Sequence, residues 1–190
     1  LLGNDTLYGE SGDDAINGGD GNDIIVGGTG NDTLQGGAND DLYIFNKEDG
    51  QDIIYDHLDR VNKYWWGTTT DVNYYNAGSD TIKFGEGIVK EDLWVKLDGN
   101  NLQIGIKNDD KSFEELSDKI TIKDCKNSNS RIEFLEFSNG VKLGLPNIIS
   151  LLGTTLDDNV IWEETSVNLS TLDGNDNITT SQSLASTNFN

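Results

Sequence analysis

The N-terminal part of the chain carries an aspartate at every ninth residue. Carboxylates can bind a hard divalent cation such as Ca²⁺, which takes about six to eight oxygen ligands. Glycines precede each aspartate, and glycine accepts the positive φ angles that let a short run turn tightly and direct its carbonyls inward. The pattern therefore indicates a row of Ca²⁺ ligands made of carboxylates and carbonyls. The aspartates are Asp5, Asp14, Asp23, Asp32 and Asp41.

An apolar residue stands two positions after each of these aspartates. The three residues centred on it read as a very short strand, whose middle side chain points to one face. If successive turns stack, that row of side chains becomes a buried core. A Gly/Asp-rich linker without metal is the alternative, but linkers do not hold an apolar residue in phase with an aspartate over successive units. The apolar residues are Leu7, Ile16, Ile25, Leu34 and Tyr43.

The repeating unit is plainest in residues 18–35, which read GGDGNDIIV and then GGTGNDTLQ. This unit resembles the RTX family, the haemolysin-type calcium-binding nonapeptide of secreted bacterial toxins, adhesins and enzymes. The resemblance implies a right-handed parallel β-roll, in which two successive repeats make one coil and ions lie between a repeat and the one two further on. Asp5, Asp23 and Asp41 would then line one side of the roll, and Asp14 and Asp32 the other.

The same resemblance implies that backbone carbonyls complete the calcium sites. Pairs of aspartates two repeats apart suggest about three ions, with more if Asp52 or the second repeat block contributes. Glu10 stands where the family has a second glycine and is expected to distort the first turn. Asn39 replaces a later glycine and is a milder change, because Asn tolerates a left-handed backbone. Besides the aspartates, the residues assigned to the metal sites are Gly3, Gly9, Gly12, Gly18, Gly19, Gly21, Gly27, Gly28, Gly30, Gly36, Gly37 and Asn39.

Charge is concentrated at the two ends of the chain. The 190 residues carry a net charge of −21, yet residues 1–45 and 143–190 contain no lysine or arginine. Without a counter-ion such glycine-rich acidic ends should repel themselves and stay disordered. The same charge excludes nucleic acid as a partner, because no basic face could neutralise phosphates. No apolar run reaches transmembrane length. The single cysteine, Cys125, excludes an internal disulfide and is expected to be buried.

Residues after the repeats read as short strands separated by turns. We predict strands at 81–84 and 120–122, a hairpin from 93–97 to 102–106, and a second hairpin from 131–137 to 141–143. This flank resembles the segment that follows the repeats in pore-forming RTX haemolysins and related large RTX proteins. The fold class predicted is all-β, with an RTX roll at 1–45, a β-rich flanking or capping domain at 46–152, and a degenerate, truncated second repeat block at 153–190. Because the chain opens within a repeat, we expect it to be a piece of a larger protein.

Two features of the flank leave alternatives open. Asp52 follows Asp41 by eleven residues within a glycine-x-aspartate-x-apolar pattern, and it either donates one more ligand or only caps the roll. The segment 57–77 sets aromatic residues among polar ones. They could form a platform for a glycan or protein partner, but capping the end of the roll is the favoured interpretation. The aromatic candidates are Trp65, Trp66, Tyr74 and Tyr75.

The sequence predicts a calcium-binding module rather than an enzyme. No catalytic residues are assigned. The single histidine, His57, would have to serve any catalytic triad. Neighbouring acidic residues could be imagined as glycosidase carboxylates, but nothing in the sequence fixes the distance between them. The resemblance implies export through a type I secretion apparatus, a secreted or cell-surface location, and folding on extracellular calcium within a toxin-like or adhesin-like parent. An adhesin or polysaccharide-binding role for segment 57–77 is the alternative.

Overall fold

The computed structural model describes residues 1–56, 63–64, 67–68, 78–108, 111–125, 132–144, 159–162 and 177–180. The chain divides into two compact units, Leu1–Leu143 and Gly144–Asn190. The aromatic candidates Trp65, Trp66, Tyr74 and Tyr75, together with His57, lie outside the described residues.

The described residues form short β-strands, with 3₁₀ turns at Lys90–Asp92 and Phe113–Glu115. The strands are β1 Thr6–Tyr8, β2 Ala15–Asp20, β3 Ile24–Val26, β4 Thr33–Ala38, β5 Leu42–Phe45, β6 Gln51–Ile54, β7 Lys63–Tyr64, β8 Gly67–Thr68, β9 Thr81–Phe84, β10 Leu93–Asp98, β11 Asn101–Ile106, β12 Lys119–Ile122, β13 Phe134–Glu136, β14 Lys142–Gly144, β15 Asn159–Trp162 and β16 Asn177–Thr180.

The repeat strands form a parallel β-roll with two repeats in each coil. Odd-numbered strands β1, β3 and β5 pair in parallel in one sheet, and even-numbered strands β2, β4 and β6 pair in parallel in the other. Leu7 lies opposite Ile25 and Ile16 opposite Leu34, so each residue faces the one eighteen positions later. The predicted all-β roll is therefore confirmed.

The apolar residue of each repeat points into the roll. Ile25 and Leu34 are buried, and Tyr43 occupies the corresponding place in β5. Both rows continue beyond the repeats, because Ile82 of β9 lies opposite Tyr43 and Ile122 of β12 lies opposite Ile54. Strands on both sides of residue 45 thus share the same two sheets. The predicted division at residues 45 and 152 remains a prediction.

The flank adds an aromatic and aliphatic core to these sheets. Phe84 stacks on Phe137 with ring centroids 5.2 Å apart, and its edge contacts Phe45. The predicted hairpin at β10 and β11 is confirmed, with Val95 opposite Ile104. Strand β12 pairs antiparallel with β11 and parallel with β6, so it joins the hairpin to the roll.

Two further predictions about the flank are confirmed. Strands β13 and β14 are neighbours in one sheet, as the second hairpin requires. Cys125 is buried.

The second unit contains β15 and β16, which pair in parallel. Asn159 lies opposite Asn177, the same eighteen-residue offset as in the repeats. Two aspartates at the repeat position of this block, Asp158 and Asp176, lie outside the described residues.

Candidate metal centre

Three repeat aspartates, Asp23, Asp32 and Asp41, each hold the preceding coil through one carboxylate oxygen. Oδ1 of Asp23 accepts the backbone N–H of Asp5 at 2.8 Å, and Oδ1 of Asp41 accepts that of Asp23 at 2.7 Å. On the other side of the roll Asp32 accepts from Asp14 at 2.8 Å. The aspartates therefore form two ladders, with the members that the eighteen-residue spacing predicts.

The second carboxylate oxygen of every repeat aspartate is buried without a hydrogen-bond partner. This holds for Oδ2 of Asp5, Asp14, Asp23, Asp32 and Asp41. The Asp23 and Asp32 side chains are each only 1% exposed. A buried carboxylate oxygen without a partner destabilises the fold, because it loses its hydration and gains no hydrogen bond or cation in exchange. Hard oxygen donors placed in this way suit Ca²⁺.

Glycine at the start of each turn leaves the room that this oxygen occupies. A Cβ built on Gly18 would collide with Oδ2 of Asp23, and one on Gly27 would collide with Oδ2 of Asp32. The second glycine serves the stacking of coils. Gly37 has φ of 114° and lies so close to the carbonyl of Gly19 that a Cβ would not fit. Other residue types would close the turn or push the coils apart.

The two departures from glycine adopt the glycine-like backbone. Glu10 has φ of 72° and Asn39 has φ of 78°. The carbonyl of Glu10 still accepts the N–H of Thr29 at 2.9 Å, so the first turn keeps its contact with the next coil. The expected distortion at Glu10 is not seen in this turn. Binding of an ion by the glycine carbonyls stays a prediction.

Asp52 extends the second ladder by one member. Its Oδ1 accepts the N–H of Asp32 at 3.0 Å, and its side chain is buried. Gly50 faces Gly30 across the coils, so the two extra residues of this unit lie before Gly50. Burial raises the pKa of Asp52 to about 7. Asp52 therefore has the position of a repeat aspartate, and its role as a ligand stays a prediction.

Asp80 and Glu133 extend the first ladder, and sequence reasoning missed both as site residues. Asp80 accepts the N–H of Asp41 at 2.7 Å, and Glu133 accepts the N–H of Asp80 at 2.8 Å. The signal for Asp80 was present in the sequence, because Gly78, Asp80 and Ile82 keep the glycine-x-aspartate-x-apolar pattern.

Asp56, also missed, completes a group of three buried carboxylates that we call the junction cluster: Asp41, Asp56 and Asp80. Their ligand oxygens all lie within 4.8 Å of one another. The hydroxyl of Tyr43 donates to Oδ1 of Asp56 at 2.8 Å. Burial raises the pKa of Asp41 to about 8, and burial also raises the pKa values of Asp56 and Asp80. The cluster therefore disfavours three negative charges unless a cation is bound.

Three ion pairs between described side chains lie in the flank. They join Lys83 to Glu136, Lys90 to Glu91 and Lys96 to Glu114. Residues 1–45 have no lysine or arginine of their own to neutralise the buried carboxylates. A divalent cation would supply that charge.

Comparison with known families identifies the N-terminal part. The family described as RTX calcium-binding nonapeptide repeat, with four copies of the repeat in its description, matches residues 1–25 and 17–47. A search of curated proteins finds no match to the chain. Within the described residues, no helix has the length and apolar character needed to cross a membrane. A ligand-binding role for Trp65, Trp66, Tyr74 and Tyr75 is left as a prediction.

Proposed function

We propose, from the premise that residues 1–47 are RTX calcium-binding nonapeptide repeats, that this chain is a non-catalytic module that folds when it binds extracellular Ca²⁺. The observation that carries the proposal is the row of buried Oδ2 atoms without partners in the repeat coils. Four of these atoms, Oδ2 of Asp14, Asp23, Asp32 and Asp41, lie beside the first glycine of their own turn, where a cation could reach both a carboxylate and backbone carbonyls.

The proposed ions lie between aspartates two repeats apart. Within the array these pairs are Asp5 with Asp23, Asp14 with Asp32, and Asp23 with Asp41, which makes about three sites. The carboxylates would supply negative charge and the glycine carbonyls neutral ligands. When bound, Ca²⁺ supplies the positive charge that residues 1–45 lack.

Folding should depend on the ion because little else stabilises the repeat coils. The apolar positions of the last three repeats, Ile25, Leu34 and Tyr43, are buried in the core, while the aspartates are buried without a counter-charge. A ligand that binds only the folded state stabilises it in proportion to the logarithm of its concentration. Extracellular calcium modules typically bind at about 10⁻⁴ to 10⁻³ M. Such a module would be empty in the cytosol and filled outside the cell.

This calcium dependence supports secretion in an unfolded state. Repeat coils that fold only outside the cell can pass a narrow channel while unfolded, which is what the resemblance to type I-secreted proteins implies. We therefore propose a secreted or cell-surface location and the type I secretion apparatus as a partner.

The experiment is a far-UV circular dichroism titration with calcium, starting from a sample stripped with EDTA and repeated with magnesium. Asp23→Ala removes a buried ligand whose turn has neighbours on both sides, and should raise the calcium midpoint about tenfold or more. Asp13→Ala is the matched control. Asp13 also accepts a coil-to-coil hydrogen bond, from the N–H of Asn31 at 2.8 Å, but its side chain is exposed.

The control should shift the midpoint by less than about twofold. An unchanged calcium midpoint in Asp23→Ala would contradict binding between the coils. A wild-type circular dichroism spectrum that does not change when calcium is added would refute the proposed function altogether.

A further inference from the structure

We propose that the junction cluster is a Ca²⁺ site of its own, which joins the end of β6 to the start of β9. Two of its three carboxylates, Asp56 and Asp80, lie beyond the residues that match the RTX repeat. The inference goes beyond calcium binding by the repeats, because it assigns an ion to residues of the flank.

The geometry suits one shared cation. Ca²⁺ lies about 2.3–2.6 Å from its oxygen ligands, so oxygens that share one ion are at most about 5 Å apart. The three carboxylates each offer an oxygen, and these lie within 4.8 Å of one another. Oδ2 of Asp41, Asp56 and Asp80 is buried without a hydrogen-bond partner in every case. Asp56 and Asp80 are 0% exposed and Asp41 is 2% exposed.

The strand register places the carboxylate of Asp56 at a position where the repeats have a glycine. Leu34 lies opposite Ile54, and the N–H of Tyr55 donates to the carbonyl of Leu34 at 2.9 Å. In this register Asp56 is equivalent to Gly36, the first glycine of its turn. Asp80 is equivalent to Asp41, because Leu42 lies opposite Thr81. The junction cluster is therefore a repeat turn in two pieces, with segment 57–77 inserted between them.

Tyr43 holds Asp56 in the orientation that a cation needs. Its hydroxyl donates to Oδ1 of Asp56 at 2.8 Å and accepts the N–H of Gly36 at 2.7 Å. Oδ1 of Asp80 accepts the N–H of Asp41 at 2.7 Å. These contacts occupy one oxygen of each flank carboxylate and leave the other for the ion. Tyr43 is thus a positioning residue as well as a core residue.

Charge count distinguishes this site from those of the repeats. Each in-array pair offers two carboxylates, whereas the junction cluster offers three. Calcium affinity in proteins rises with ligand charge and with rigidity of the site. The junction cluster should therefore fill at roughly tenfold lower free calcium than the repeats. The bound ion would fix the two strands between which segment 57–77 is inserted.

A proton shared among the carboxylates is the competing explanation, and one substitution separates the two. Asp56→Asn keeps the shape of the side chain and removes one negative charge. If the cluster only shares protons, losing a like charge should stabilise the fold in saturating calcium. If the cluster binds Ca²⁺, the same change should destabilise the fold relative to wild type in saturating calcium.

The test measures urea unfolding of the full chain in EDTA and in calcium, together with bound calcium by equilibrium dialysis. Asp80→Asn serves as a second variant with the same expected outcome. Asp49→Asn is the matched control, since Asp49 is buried but accepts from the N–H of Asn46 at 2.7 Å and lies outside the junction cluster. Both cluster variants should bind the tightest-bound ion about tenfold more weakly than wild type does. The control should bind that ion as tightly as wild type.

Stabilisation of both cluster variants at all calcium concentrations, with unchanged bound calcium, would overturn the proposal. Equal loss of calcium in Asp49→Asn would also overturn it, because the effect would then not belong to the cluster. In either case the midpoint shift of Asp23→Ala would still stand as evidence for the repeat sites. The two proposals can therefore fail separately.

Discussion

The repeat coils up to residue 54 and the flank from residue 78 share two sheets, yet different interactions stabilise them. In the coils the turns bury carboxylates, and the apolar repeat positions that are buried are Ile25, Leu34 and Tyr43. In the flank, Phe84 stacks on Phe137, and the β10–β11 hairpin buries aliphatic side chains such as Ile104. The coils and the flank are therefore joined by hydrogen bonds within the same sheets, but different interactions stabilise each region.

This difference predicts which region calcium should stabilise. Apolar burial stabilises the flank whether or not an ion is present, because it requires only that the side chains leave water. In the coils apolar burial contributes less to the free energy of folding, and desolvation of the carboxylates opposes folding. We expect the flank to retain structure in conditions where the coils are unfolded, and the following changes test that contrast.

The largest expected effect comes from truncating a core side chain in each region. Phe84→Ala should cost about 3–5 kcal/mol of unfolding free energy in both calcium and EDTA, because Phe84 is fully buried in the flank. Leu34→Ala should cost about 2–5 kcal/mol in calcium and close to nothing in EDTA, where the coils contribute little to the folded state. Urea denaturation of both variants in both buffers measures this. An equal cost for Leu34→Ala in the two buffers would remove the contrast.

Acidity should change the stability of the coils in opposite directions with and without calcium. Burial raises the pKa of Asp41 from 3.8 to about 8 and that of Asp52 from 3.8 to about 7. A group with a raised folded-state pKa contributes stability below its unfolded pKa and loses that contribution as the pH rises through the folded value. In EDTA the coils should therefore be more stable near about pH 5 than near about pH 9.

Calcium should reverse this trend, since the ion binds the ionised carboxylates and acid competes with it. Thermal unfolding followed by circular dichroism at several pH values gives both curves. Parallel curves in EDTA and calcium would contradict the assignment of these carboxylates to an ion.

The smallest expected effect is at Glu10, a residue other than glycine with a positive φ in the first turn. A residue other than glycine pays about 1–2 kcal/mol in the left-handed backbone, and glycine loses up to about 1 kcal/mol through its greater freedom when unfolded. Glu10→Gly should therefore stabilise the calcium-bound coils by about 1 kcal/mol or less. Asn39→Gly is the control and should gain less, because Asn tolerates this backbone. A clear loss of stability in Glu10→Gly would mean that the Glu10 side chain has a role of its own.

Much of the roll could be predicted because its repeat is local. The nine-residue spacing predicted the inward row from Ile25 to Tyr43. The resemblance to the RTX repeat implied the two ladders and the parallel pairing. Asp52 could be suggested but not assigned, since two extra residues break the spacing. Asp80 was missed because segment 57–77 separates it from the array.

Asp56 and Glu133 gave no comparable signal in the sequence. Asp56 stands where the pattern requires glycine, so the pattern itself argues against it as a site residue. Glu133 joins the ladder through the parallel pairing of β13 with β9, a contact between residues more than fifty positions apart. Tertiary pairing of this kind is not contained in local periodicity.

Amide hydrogen exchange with and without calcium is the measurement that separates the two regions in one experiment. The amides to follow are those of Asp23 and Leu42 in the coils, which donate to Asp41 and to the carbonyl of Asp23, and that of Ile106 in the flank, which donates to Asp118. We predict that calcium slows exchange of the coil amides at least about a hundredfold and that of the flank amide less than about tenfold. Equal protection of both regions in EDTA would contradict a calcium-folded roll.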